Sequence, residues 1–244
     1  MSTPASLYRN AIDLNRYSNS VARRIINAYN DIILDSVAQL RAIEDLDEMF
    51  KAARLRSILA QLKESLATWA GDSTEITALE LQGLAELQSE FVEEQLKKVL
   101  PAGSRNIVNT VEISPQFAQA VVTADPTQIS VVTLSDDLAE SHAERFGQVV
   151  RQGLLTGEPT PEIARRLKGR LEFGQPARSV RQLQLAGGEL TKMANHQVVT
   201  IVRTSVNQVS NAASQQVYEA NQDVTRKYRY VATLDTRTSA ICRA

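Results

Sequence analysis

Between Leu7 and Ile32 the residues Leu7, Ala11, Leu14, Ser18, Val21, Ile25, Ala28 and Ile32 recur at alternating steps of four and three. That spacing places them on one face of a helix far longer than a single turn-rich element could hold, so the chain must build helix against helix. The seam then slips by one residue to Ile33, Val37 and Leu40, which predicts a bend or a second partner for the last turns. A second helix is predicted from Leu55, Leu59, Leu62, Leu66 and Trp69, with Gly71 ending it. A third opens at Asp72-Ser73-Thr74-Glu75, where Asp72 as N-cap and Glu75 three residues on make a capping-box pattern, and it closes at Pro101 and Gly103. Residues 1–103 thus read as a helical bundle or a partner-docking region. If the first seam faces another protein, the docking residues are Leu7, Leu14, Val21, Ile25 and Ile32.

Residues 104–134 change character. Short β-branched runs, NIVNTVEI and ISVVTL, lie among Pro, Asn and Asp, which predicts a linker of loops or brief strands. Helix is expected again from Ser135, followed by a turn at Thr156-Gly157-Glu158-Pro159 and a short helix that Thr160 would cap with Pro161 in first position. Residues 135–188 therefore form a helix-turn-helix region. Its second helix carries Arg165, Arg166, Lys168 and Arg170 on mixed faces, a poor match to a major-groove reader.

From Glu189 to about Asn221 a long helix is rich in Asn, Gln, Ser and Thr and nearly free of charge. His196, Thr200, Arg203, Asn207 and Asn211 share one face of it. Such residues weaken a helix interior, and a solvated face more usually carries Glu and Lys, so the stripe is expected to meet the polar groups of a packed neighbour. Beyond it Tyr228, Tyr230, Ala232 and Leu234 alternate with Arg229, Val231 and Thr233, the pattern of a strand. The expected architecture is mainly α, with an elongated helical N-terminal region and a small α+β C-terminal domain over residues 189–244.

Arg203-Thr204, Asn211, the Tyr228–Thr233 strand and the string Asp235-Thr236-Arg237-Thr238-Ser239-Ala240-Ile241-Cys242 resemble the C-terminal domain of the phage Mu F-like head morphogenesis, or minor head, proteins. GLLTGEPTPEIARRL is similar to the segment preceding that domain, so the resemblance covers about 135–244. It implies a minor virion protein that associates with the portal, enters the head and acts in genome packaging or delivery. The portal protein is the implied partner, with the major capsid or scaffolding protein and self-association as further contacts. Two variants stand beside it: a helical tube extending the portal channel and ejected with the genome, or the carrier of a toxin or enzyme domain. Family members continue past the cysteine with Asp-Gly and further strands, which the resemblance places beyond Ala244.

The chemistry of the terminal string reads as structural. Asp235 fixes a turn, Arg237 reaches carbonyls or the amides of Asn207 and Asn211, Thr238 or Ser239 caps the next turn of chain, and Cys242 packs as a small hydrophobe. Arg237→Ala is expected to loosen this region, at about 1–3 kcal/mol for each buried group orphaned. No catalytic residue, metal site or cofactor is expected. The single cysteine and two histidines, His142 and His196, form neither a nucleophile with its base nor a zinc ligand spacing. A formal net charge of −1 and the lack of a long basic stripe leave only local contacts with nucleic acid, as suits a protein close to packaged DNA. No apolar run approaches the length of a membrane span, and no secretion signal is evident.

Overall fold

The computed structural model describes residues 4–41, 43, 48–123 and 134–225. Among them are seven α-helices and no strand: α1 (Pro4–Arg41), α2 (Glu48–Val99), α3 (Phe117–Thr123), α4 (Leu134–Leu155), α5 (Thr160–Lys168), α6 (Val180–Ala186) and α7 (Glu189–Ala220), with a 3₁₀ turn at Ala102–Ile107. The mainly helical class is as expected. Of the α+β domain expected over 189–244, the described part, residues 189–225, is helical apart from its last turn, and the strand expected at 228–234 lies outside the described residues.

Helices α1 and α2 run antiparallel. Ser6 Oγ donates to Gln95 Oε1 and Asn10 Nδ2 to Gln88 Oε1 at one end, Tyr17 to the Glu80 carbonyl further along, and Trp69 Nε1 to the Ile25 carbonyl in the middle. The buried face of α1 is wider than one seam. Val21 and Ala22, Ile25 and Ile26, Tyr29 and Asn30, and Ile33 and Leu34 are buried in pairs, because α2 packs on one side and α5 and α7 on the other. The one-residue slip read from the sequence is the second of these faces taking over.

Gly71 does not end a helix. α2 continues through it for 52 residues, about 78 Å at 1.5 Å per residue. The start signals at Asp72–Glu75 are overridden because the buried face is continuous across them: Leu62, Leu66, Trp69, Ser73, Thr77, Leu81, Leu84 and Val92 all turn inward. The hydroxyls in this stretch bond back along the continuous helix, Thr74 to the Ala70 carbonyl and Thr77 to the Ser73 carbonyl.

Where loops or brief strands were expected, residues 108–116 form a strap without regular structure along α2 and α7, α3 comes directly after it, and residues 124–133, with most of the ISVVTL run, lie outside the described residues. Val111 N–H donates to Glu93, and Asn109 exchanges amide bonds with Asn221 at the end of α7. Phe117, Ala118 and Val122 then bury their side chains in the same core as α1, α2, α4 and α7. The turn before α5 keeps the expected Gly157 at φ +70°. Thr160, however, begins the helix rather than capping it, and no side chain caps that end. α6 was hidden in a segment that reads as merely polar. It is seven residues long, and its Ser179 accepts from Gln182 N–H while Gln182 accepts from Arg178 N–H, a Ser-x-x-Gln pattern that could have revealed it.

Candidate functional site

The most unusual element of the sequence, α7, presents two surfaces. Leu190, Ala194, Val198, Val202, Val206, Val209, Ala213 and Val217 are buried, with Ser205 and Ser210 among them as small residues that let neighbouring helices close in. The polar groups that bridge helices sit beside this face. Thr191 donates to Asn30 of α1 at 3.0 Å, Gln88 of α2 donates to Ser214 at 3.1 Å, and Gln197 pairs with His142 of α4 at 2.9 Å. These are not the residues the spacing singled out. His196, Thr200, Arg203, Asn207 and Asn211 all lie on the exposed face. Of these five, Arg203 reaches another element, donating to Asn19 of α1. The amide-rich composition therefore has two sources: bridges on the inner face, and a polar outer stripe that is open among the described residues. Asp235, Arg237, Thr238, Ser239 and Cys242 lie outside the described residues.

The seam of α1 divides along its length. Val21 and Ile25 are buried in the chain's own core, and Leu14 and Ile32 pack against it. Leu7 is 47% exposed, beside Tyr8 at 45% and Ile12 at 53%. The N-terminal end of α1 is thus the part of the seam open to another molecule.

His142 is wholly buried. Its Nδ1 lies 2.7 Å from the Tyr29 hydroxyl and its Nε2 2.9 Å from Gln197 Oε1, so the neutral ring accepts from tyrosine and donates to the amide. Tyr29 meets the edges of both His142 and Trp69 at ring separations of 5.3 and 5.2 Å. Burial pushes the imidazole down from 6.5 to about 4, with the Gln197 bond opposing the shift. This is a structural histidine joining α1, α2, α4 and α7. Among the described residues no three His, Cys, Asp or Glu side chains gather as a metal site would need, and no helix is long and apolar enough to cross a membrane.

A cleft of about 630 Å³ opens where α1, α6 and α7 meet. Arg16 and Arg23 line it from α1, Arg178 and Arg181 from around the start of α6, and Arg203 from α7, with no acidic residue in its wall among the described residues. Arg178 and Arg181 stand out in the sequence as charges in a polar segment, but nothing there signals their convergence with α1. The rim is fixed by bonds from α1 side chains to the backbone before α6: the Asn27 amide exchanges two hydrogen bonds of 3.2 Å with the Ala177 backbone, and Arg23 donates to the Arg178 carbonyl at 2.8 Å.

No curated protein and no solved structure matches the chain. The family model described as Phage Mu protein F like protein matches residues 144–244, from within α4 through α7 to Ala244. That span contains Arg203, Asn211 and the Asp235–Cys242 string on which the resemblance rested, and over it the C-terminal part of this chain is similar to that family.

Proposed function

We propose that the protein is a minor component of a tailed-phage head that associates with the portal and acts in head morphogenesis and in packaging or delivering the genome. The family match over 144–244 carries this reading, and it supports a virion protein at the coarsest level. The role proposed is one of assembly rather than catalysis. The exposed end of the α1–α2 pair suits docking. Leu7, Tyr8 and Ile12 are exposed on α1, and Leu87 is exposed at 64% on the α2 stretch that Asn10 reaches through Gln88. Exposed apolar side chains of this kind are what a partner helix covers. The head interior or portal vertex is the corresponding location.

The test is co-purification with the portal protein encoded by the same genome, followed by mass determination of the complex. Removing the N-terminal helices would destroy the core, since Val21, Ile25 and Tyr29 belong to it. The informative variant is therefore Leu7→Glu with Ile12→Glu. A stoichiometric complex that this double variant abolishes, with its melting temperature unchanged, is expected. Absence of a complex with the unaltered chain would overturn the portal reading, and a complex indifferent to the variant would move the contact elsewhere.

A further inference from the structure

We propose that the arginine-lined cleft between α1, α6 and α7 is a binding site for phosphate groups, an inference independent of the portal reading. Five guanidinium groups, from Arg16, Arg23, Arg178, Arg181 and Arg203, line one cleft. Elsewhere arginines that reach across elements meet carboxylates: Arg24 pairs with Glu80, Arg145 with Glu189 and Arg166 with Glu158. In the cleft Arg23 and Arg203 reach across elements to neutral oxygens, the Arg178 carbonyl and the Asn19 amide. Those bonds orient the guanidinium groups without cancelling their charge. Asp13 is 3.5 Å from Arg16, in a pair exposed on both sides and weakened by solvent.

Concentrated and partly pre-oriented positive charge calls for a compact ligand with several negative oxygens. Guanidinium forks match phosphate oxygens two at a time, and arginine rather than lysine supplies every cation in the described wall. An acidic peptide spreads one charge per side chain and takes hold through apolar contacts beside them, whereas Val180 and Val199 are the only apolar residues among those described in the wall. No aromatic ring is among them either, so a nucleic acid would be held by its backbone and not by stacked bases. Asn19, Ser20, Ser179 and Gln184 add neutral hydrogen-bonding groups around the charges.

The test uses the full chain and two probes, inorganic pyrophosphate by calorimetry and a labelled DNA duplex by fluorescence anisotropy at low and physiological salt. Arg178→Glu with Arg181→Glu reverses two of the five charges in the wall. Arg54→Glu with Arg56→Glu, both exposed on α2, is the control for the same change in net charge. Saturable pyrophosphate binding that the double variant weakens at least about tenfold, and the control leaves alone, is expected for two lost charge-assisted contacts. Unchanged melting separates this from misfolding, and Arg181→Gln alone should weaken binding in the same direction. If duplex displaces pyrophosphate, with a salt slope that falls in the double variant, the phosphates are those of a nucleic acid backbone. If pyrophosphate binds and duplex does not displace it, the ligand is a free compact phosphate. No pyrophosphate binding, binding equal in the double variant, or tighter binding of a polyglutamate peptide would each overturn the proposal.

Discussion

Acidification from pH 7 to pH 5 is expected to remove about 2 kcal/mol of folding stability through His142 alone, from a slope of about 1.36 kcal/mol per pH unit wherever one state binds the proton and the other does not. The folded ring titrates at about 4 and the free side chain at 6.5. Above 6.5 both states hold a neutral imidazole and the native contacts count in full. As the pH falls through that value the unfolded chain takes up a proton that the folded chain refuses, and stability declines. Below about 4 both are protonated and the loss levels off near 3 kcal/mol, from the same slope. The carboxylates act in a lower window. Arg24, followed by the Tyr17 hydroxyl, holds Glu80 below its usual value of 4.5, and Lys63 does the same for Glu140. Their contribution is present above 4.5 and is lost only as the pH drops beneath it. Urea unfolding followed by Trp69, the single tryptophan and a neighbour of Tyr29, reads the relevant region directly. His142→Gln is expected to be less stable at pH 7 but nearly flat between pH 7 and 5. Parallel slopes for the two proteins in that interval would refute the reasoning. If the variant does not fold, an NMR titration of the His142 ring in the unaltered protein decides the matter, since a value near 6.5 would be incompatible with the buried bonds to Tyr29 and Gln197.

The backbone sets two further outcomes. Gly71→Ala should raise stability by about 0.5–1 kcal/mol, because a Cβ there meets nothing within 4 Å inside a continuous helix; a lower melting temperature would mean that α2 breaks at this point. Gly188→Ala should lower stability by at least about 1–3 kcal/mol, since its Cβ would collide with the Arg166 and Leu167 carbonyls at the end of α5, and chemical denaturation of the purified variant measures it.

The features legible in the residues were those a single helix face determines. The helical course of α1, the Gly157 turn and the extent of α7 all arise from local spacing and turn chemistry, and the structure places them accordingly, while Leu7, Ala11 and Ala28 of the α1 seam are exposed. Gly71 misled because a glycine and a run of Asp, Ser and Thr carry stop and start preferences of about 1 kcal/mol. The unbroken row of side chains from Leu62 to Val92 outweighs them. The inner bridges of α7 were hidden for another reason. Thr191, Gln197 and Ser214 differ from their exposed neighbours only in what stands opposite, and Asn30, His142 and Gln88 lie far away in sequence. The arginine cleft was illegible for the same cause, as Arg23 and Arg178 are 155 residues apart and the chain's net charge of −1 conceals any local excess.

The unbroken course of α2 also limits how the chain can vary. Its two halves are geared together through one helical phase, and each residue added near Gly71 turns everything beyond it by about 100°. One insertion would carry Glu80 and Gly83 into the places where Leu81 and Leu84 now pack. Length changes in this rod are therefore tolerable only in steps of three, four or seven residues, which restore the phase, and each such step also slides Gln88 and Gln95 past Asn10 and Ser6 on α1. Any lengthening of α2 must then be matched on α1, so that the two helices drift in length as a pair or not at all.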